Sequence, residues 1–203
     1  EEDIYLGDLE RSAQRVQLID RVQAERVPFR QSDVPGIPGA ARVDRRSRVN
    51  IAVAAFPNGH PRSRHAREHI DALLAKQAAG ATLAITPLFF HADAYLAYVE
   101  RARQAGVTIP ILPGIMPITN PARLNRVLEL SGEELPSELA IALEIEPTAE
   151  GQRDLGIEYA ANLARAVADG GAPGIHLYAF NNHDTVLAVL REAGILIQKE
   201  NVR

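Results

Sequence analysis

Polar side chains able to bind or move protons follow four apolar runs. Asn58 and His60 follow VNIAVAAF (49–56), His91 and Asp93 follow LAITPLFF (83–90), Thr119 and Asn120 follow IPILPGIM (109–116), and Asn181 ends and His183 follows GIHLYAFN (174–181). If the runs lie side by side in one direction, these groups collect at one edge, where amides, imidazoles and hydroxyls orient small molecules. His65 and His69 stand at i and i+4 on one helical face, a spacing that can hold zinc. No carboxylate-bearing H-E-x-x-H pattern accompanies them, so they read as surface histidines and no metal is expected. With Cys 0 there is no disulfide, thiolate ligand or cysteine nucleophile, which suits a reducing cytoplasm, the location expected here.

The elements that would position these groups alternate. Each run is apolar on both faces and is separated from the next by helical stretches, the pattern of a parallel sheet covered by helices. Helices are expected at about 64–79, 92–105, 136–145, 148–169 and 183–193. A further helix carries Leu124, Val127 and Leu128, with Asn120 as its N-cap and Pro121 at N1. Ahead of the first run, Leu9, Ala13, Val16, Ile19 and Val22 recur at helical spacing and predict an amphipathic helix over 8–25. Between them, residues 27–48, with Pro28, Pro35, Pro38, Gly36 and Gly39, show no period and read as a long solvated connection.

The class is therefore α/β, in a single domain spanning 1–203. A doubly wound sheet and a (β/α)8 barrel both fit the alternation. No strand leads into a G-x-G-x-x-G or G-x-x-x-x-G-K-[ST] loop, which disfavours the nucleotide-binding doubly wound folds. The stretch from Pro113 to Asn120 reads as a strand's carboxyl end and rim loop, stiffened by proline where ladder bonding is ending. A net charge of -4 gives no reason to expect a nucleic acid, and no apolar stretch reaches membrane-spanning length.

The motifs add a resemblance. VAAFPNGHP resembles the V-A-x-[YF]-P-x-x-H-P turn of the 5,10-methylenetetrahydrofolate reductase family, and AGATLAITPLFFHADAY resembles its A-G-A-x-x-x-I-T-Q-x-F-F-x-x-x-x-Y segment. IPILPGIMPITN and GIHLYAFN resemble its P-I-x-P-G-I-M-P-[IVL]-[TS] and H-F-Y-T-L-N strands. The likeness implies a flavin-dependent (β/α)8 TIM barrel, of which this chain supplies roughly the C-terminal half.

It also implies FAD-dependent reduction of 5,10-methylenetetrahydrofolate to 5-methyltetrahydrofolate by NAD(P)H. On the same likeness Ala54, His60 and Lys76 would bind FAD, and Pro87, Arg123, Tyr178 and Phe180 would line the substrate site. An alternative is a non-catalytic flavin- or folate-binding relative acting through another subunit. An unrelated aldolase barrel fares worse, because none of the four runs carries a Schiff-base lysine.

Departures from the family pattern accompany the likeness. Pro87 replaces the Gln of I-T-Q, Arg123 and Val127 replace Gln and Phe, and Asn182 replaces Arg. The family's glutamate general acid and its L-R-G-D motif have no counterpart, and losing such an acid costs roughly 10²–10⁴-fold in rate. Half a barrel leaves two sheet edges and an uncovered inner face. A further N-terminal segment of about a hundred residues, or pairing of half-barrels in a homo-oligomer, is therefore expected.

Overall fold

The computed structural model describes residues 12–25, 50–58, 66–131 and 133–195. The expected connection over 27–48 lies outside them, as do His60 and His65. Strands β1 (Ala52–Ala54), β2 (Leu83–Leu88), β3 (Ile111–Ile115) and β4 (His176–Leu177) form one sheet in the order β1-β2-β3-β4, with every neighbouring pair parallel. Sequence order equals spatial order, so the described strands contain no point at which a doubly wound sheet would reverse. β1 and β4 are shorter than the apolar runs that contain them. Each lies at an end of this sheet and pairs on one side only, so less of the run is drawn into a ladder.

Helix α1 (Ser12–Glu25) precedes the sheet, and α2 (Ala66–Ala78) and α3 (Ala92–Gln104) carry the chain from β1 to β2 and from β2 to β3. Three helices, α4 (Pro121–Ser131), α5 (Ser137–Ile145) and α6 (Ala149–Asp169), separate β3 from β4, and α7 (His183–Glu192) follows. Asn120 caps α4 as expected, its Oδ1 accepting from the Arg123 amide at 2.7 Å. Thr148 caps α6 in the same way through the Gly151 amide at 3.1 Å. Among the described residues no helix is long and apolar enough to cross a membrane.

Strand register sorts the side chains. Ala84, Ile111 and Ile115 are fully buried against the helices, with Val53 and Leu177 packed beside them. The helical side of this core comes largely from Ile157, Ala160, Ala161, Ala164 and Val167 of α6, a face whose small residues let the helix lie close. Ala52, Ala54, Leu83, Ile85, Leu112 and His176 share the opposite face by register, and all are half-exposed or exposed.

A second core sits beyond the strand ends. Phe90, Met116 and Ile118 pack with Leu124 of α4 and with Leu139 and Leu143 of α5. The rim loop after β3 is thus roofed by α4 and α5. Gly156 of α6 makes room for that loop, since a Cβ there would stand 1.9 Å from the Ile118 carbonyl oxygen. The third cluster joins Val16 of α1 to Ile51 and Ala81. Ile19 and Val22, expected on the covered face of α1, are instead 45% and 37% exposed. Among the described residues α1 packs mainly on α2, which is too narrow a partner to cover the whole apolar stripe.

Candidate functional site at the carboxyl ends of the strands

β1 ends at Ala54. The Ala55 amide donates to the Ile85 carbonyl at 3.0 Å, so the Ala54 carbonyl of the same peptide points away from β2, on the side of β1 that pairs with no strand among the described residues. The Lys76 ammonium donates to that carbonyl at 2.8 Å, with the Phe56 ring 5.8 Å from Nζ. Lys76 is only 8% exposed, and burial holds its pKa below the usual lysine value. The two predicted cofactor ligands are therefore in contact, with a buried cation beside small exposed side chains. The predicted third, His60, lies outside the described residues.

Pro87 interrupts β2. Register runs Ile85 to Leu112 and then Leu88 to Gly114, leaving one extra residue on β2. Proline has no N–H for the ladder, and the bulge is where that lack is absorbed. Thr86 meets a different need at the bulge: its fully buried hydroxyl stands in for a strand carbonyl as acceptor for the Gly114 amide at 2.8 Å and donates to the Pro87 carbonyl at 2.8 Å. The Thr86 carbonyl in turn accepts from the Tyr178 hydroxyl at 3.1 Å. A Cβ at position 114 would lie 2.2 Å from that carbonyl oxygen, so only glycine fits the seam. Pro87 and Tyr178 are thereby brought together. Tyr178 meets His176 edge-on at 4.7 Å, and burial raises its phenol pKa.

Past β4 the backbone turns sharply. Phe180 and Asn181 both have positive φ, 44° and 63°, in a turn closed by the Asn182 amide donating to the Ala179 carbonyl at 2.8 Å. Two consecutive left-handed residues usually call for Gly or Asn, and a bulky aromatic there carries strain of about 1–3 kcal/mol. The turn holds the Phe180 ring outward, 68% exposed, with the Arg123 guanidinium 5.9 Å from its centroid. Asn182 caps α7 through the Thr185 amide at 3.2 Å.

A third polar group bridges the roof and the rim. Asn58 Nδ2, just after β1, donates to Glu133 Oε2 at 2.6 Å, and His91, just after β2, acts electrostatically on the same carboxyl. Among the described residues no cluster of three or more His, Cys, Asp or Glu could hold a metal ion.

A family model described as Methylenetetrahydrofolate reductase matches residues 42–194, and thus spans every strand and rim group above. The chain belongs to that family. Among its relatives, Probable methylenetetrahydrofolate reductase (NADPH) of Caenorhabditis elegans is 35% identical over 148 residues, covering 72% of this chain and 22% of that protein. Methylenetetrahydrofolate reductase (NADH) 1 of Arabidopsis thaliana is 32% identical over 156 residues, covering 72% of this chain and 26% of the relative. The 5,10-methylenetetrahydrofolate reductase of Salmonella typhimurium is 29% identical over 147 residues, covering 72% and 50%. The chain thus spans about half the length of the bacterial relative and about a quarter of the other two.

Within this methylenetetrahydrofolate reductase family chain, the predicted site residues fall into pairs: Ala54 with Lys76, Pro87 with Tyr178, and Arg123 with Phe180. The sequence reading missed Thr86 and Glu133. A hydroxyl beside a strand proline was a usable signal for the first, since a bulge leaves an amide of the neighbouring strand in need of a local acceptor. Glu133 carried none, because its partners lie 75 residues away at Asn58 and in another connection at His91.

Proposed function

We propose that this chain forms the C-terminal half of a (β/α)8 barrel that binds FAD and reduces 5,10-methylenetetrahydrofolate to 5-methyltetrahydrofolate with NAD(P)H. One observation carries the reading: the family match covers the strands whose carboxyl ends gather the Lys76, Tyr178 and Arg123 groups. FAD, when bound, supplies hydride carriage between nicotinamide and folate. The residues present fit it, since the small, exposed Ala54 admits a flat ligand to the backbone and the buried Lys76 ammonium offers a cation for its phosphates. His60 would hold the ribose side. Tyr178 and Phe180 would flank the ring site used in turn by nicotinamide and folate, and Arg123 would meet the folate.

Absorbance in the flavin bands of the purified native protein, and its bleaching by NADH, test the reading. A colourless preparation that FAD cannot reconstitute overturns it. A second reading, a flavin- or folate-binding relative acting with another subunit, is favoured by Pro87. That residue offers no side-chain hydrogen bond, and the neighbouring Thr86 and Tyr178 hydroxyls are taken by the bulge. It expects bound flavin without turnover.

The exposed inner face supports completion of the barrel, by further strands of the native protein or by another copy in a homo-oligomer. A native protein that is a folded, soluble monomer of 22.1 kDa would count against this. A cytoplasmic location belongs to the same proposal.

A further inference from the structure

Helix α5 is apolar on opposite sides. Leu139 and Leu143 are buried in the rim core, whereas Ile141 and Ile145, with the same i and i+4 spacing but two positions on, occupy the far side of the helix and are exposed. Ile145 is 74% exposed. Leu130 at the end of α4 and Leu135 in the connection that follows are exposed as well. Single exposed aliphatics are ordinary, but a helix that is apolar all round belongs between two partners. The first partner of α5 is the core of Phe90, Met116, Ile118 and Leu124, and its outward side is covered by no element among the described residues.

The same stretch is one-sided in charge. Residues 127–152 contain seven glutamates and no Lys, Arg or His, in a chain whose net charge is only -4. Glu138 precedes Ile141 by three positions and Glu144 follows it by three, so both flank the apolar ridge, and Glu134 stands just ahead of the helix. All three are exposed. A second copy meeting this face across a two-fold axis would set glutamates against glutamates. An anionic membrane or a nucleic acid would be repelled in the same way. The occupant that suits an aliphatic ridge lined by carboxylates is apolar along one stripe and cationic beside it.

We infer that the outward face of α5 is a docking surface for a basic amphipathic helix of a partner protein. The partner's aliphatic stripe packs on Ile141 and Ile145, and its Lys and Arg side chains meet Glu138 and Glu144 on either side. The apolar ridge supplies most of the affinity, while the glutamates set orientation and turn away acidic partners. None of the residues assigned above to cofactor or substrate lies on this face, so docking there stands apart from the proposed reaction.

The test uses the full-length native protein and three labelled synthetic peptides of about five helical turns. The first has leucines along one helical face and lysines elsewhere, the second has glutamate for every lysine, and the third scrambles the first so that no face is apolar. Fluorescence anisotropy should show saturable binding of the lysine peptide, with the other two weaker by about tenfold or more. Amide exchange should place the added protection over residues 130–145. Ile141→Ser combined with Ile145→Ser should weaken the lysine peptide by about tenfold or more. Glu138→Lys combined with Glu144→Lys should exchange the preference, losing the lysine peptide and gaining the glutamate one. The same charge change on α6 and α7, Glu158→Lys with Glu192→Lys, should leave binding within about threefold of wild type.

Absence of saturable binding by the lysine peptide overturns the inference. So does binding within about threefold of wild type in the double serine variant, or equal binding of the scrambled peptide, which would leave charge alone as the cause. Two other occupants are read without any peptide. Self-association of the native protein that Ile141→Ser abolishes would assign the face to a second copy. An Ile141→Cys thiol that stays unreactive in the folded native protein would assign it to the protein's own remaining chain. Either result overturns the inference. Should the double serine variant fail to fold, the charge exchange decides: Glu138→Lys with Glu144→Lys that still prefers the lysine peptide overturns it.

Discussion

The sheet has two faces made from similar aliphatic residues, and they meet different fates. On the helix side Ile111 and Ile115 are wholly buried, packed against α6. On the other side Leu83, Ile85 and Leu112 remain half-exposed, although they belong to the same strands and sit in the same ladders. The difference teaches that strand composition alone does not stabilise a parallel sheet. What the chain lays over each face decides it, at roughly 25 cal/mol for each Å² of apolar surface removed from water.

The sharpest way to break that comparison is a matched pair of truncations. In the 203-residue chain, Ile111→Ala should cost about 2–5 kcal/mol in urea unfolding, and Leu112→Ala less than about 1.5 kcal/mol. In the full-length native protein the two losses should converge, because the proposed remaining strands would cover Leu112. A gap that persists there would speak against barrel closure.

The seam between the faces comes next. Gly114→Ala drives a Cβ into the Thr86 carbonyl and should cost roughly 2–3 kcal/mol by the same denaturation, with the β2–β3 amides losing exchange protection. Tyr178→Phe leaves the Thr86 carbonyl without its donor and should cost about 1 kcal/mol.

The smallest effect sharpens the comparison at the rim, through pH. The folded pKa of Glu133 lies above the ordinary value, so its protonated form favours the fold. That contribution is present below the unfolded glutamate pKa and is lost as pH rises through the folded one. Relative to Glu133→Gln, wild type should therefore lose stability as pH rises from the ordinary glutamate range through the raised folded pKa, measured by chemical unfolding at each pH.

The order of elements was legible in the sequence because runs apolar on both faces alternate with helical periodicity, and because Asn120 and Pro121 mark a helix start directly. The site was legible in part. Ala54, Lys76, Pro87, Arg123, Tyr178 and Phe180 are placed at or near the carboxyl ends of the strands, yet what they touch could not be read. Lys76 belongs to a helix, and nothing local says that its ammonium ends on the Ala54 carbonyl of β1. The positive φ of Phe180 violates residue preference and is imposed by the turn joining β4 to α7. The roof of α4 and α5 over Met116 and Ile118 depends on contacts between distant segments, to which periodicity is blind.

The additional residue at the Pro87 bulge works as a phase shift. Before it, β2 and β3 keep step one for one; after it, Leu88 stands level with Gly114 although only one β3 residue separates Gly114 from Leu112, against two on β2. Straightening β2 there with the extra residue retained would slip Leu88, Phe89, Phe90 and His91 by one position and exchange inside for outside. The rim's outward and inward aims are thus kept by the bulge, which takes up the extra residue before they begin.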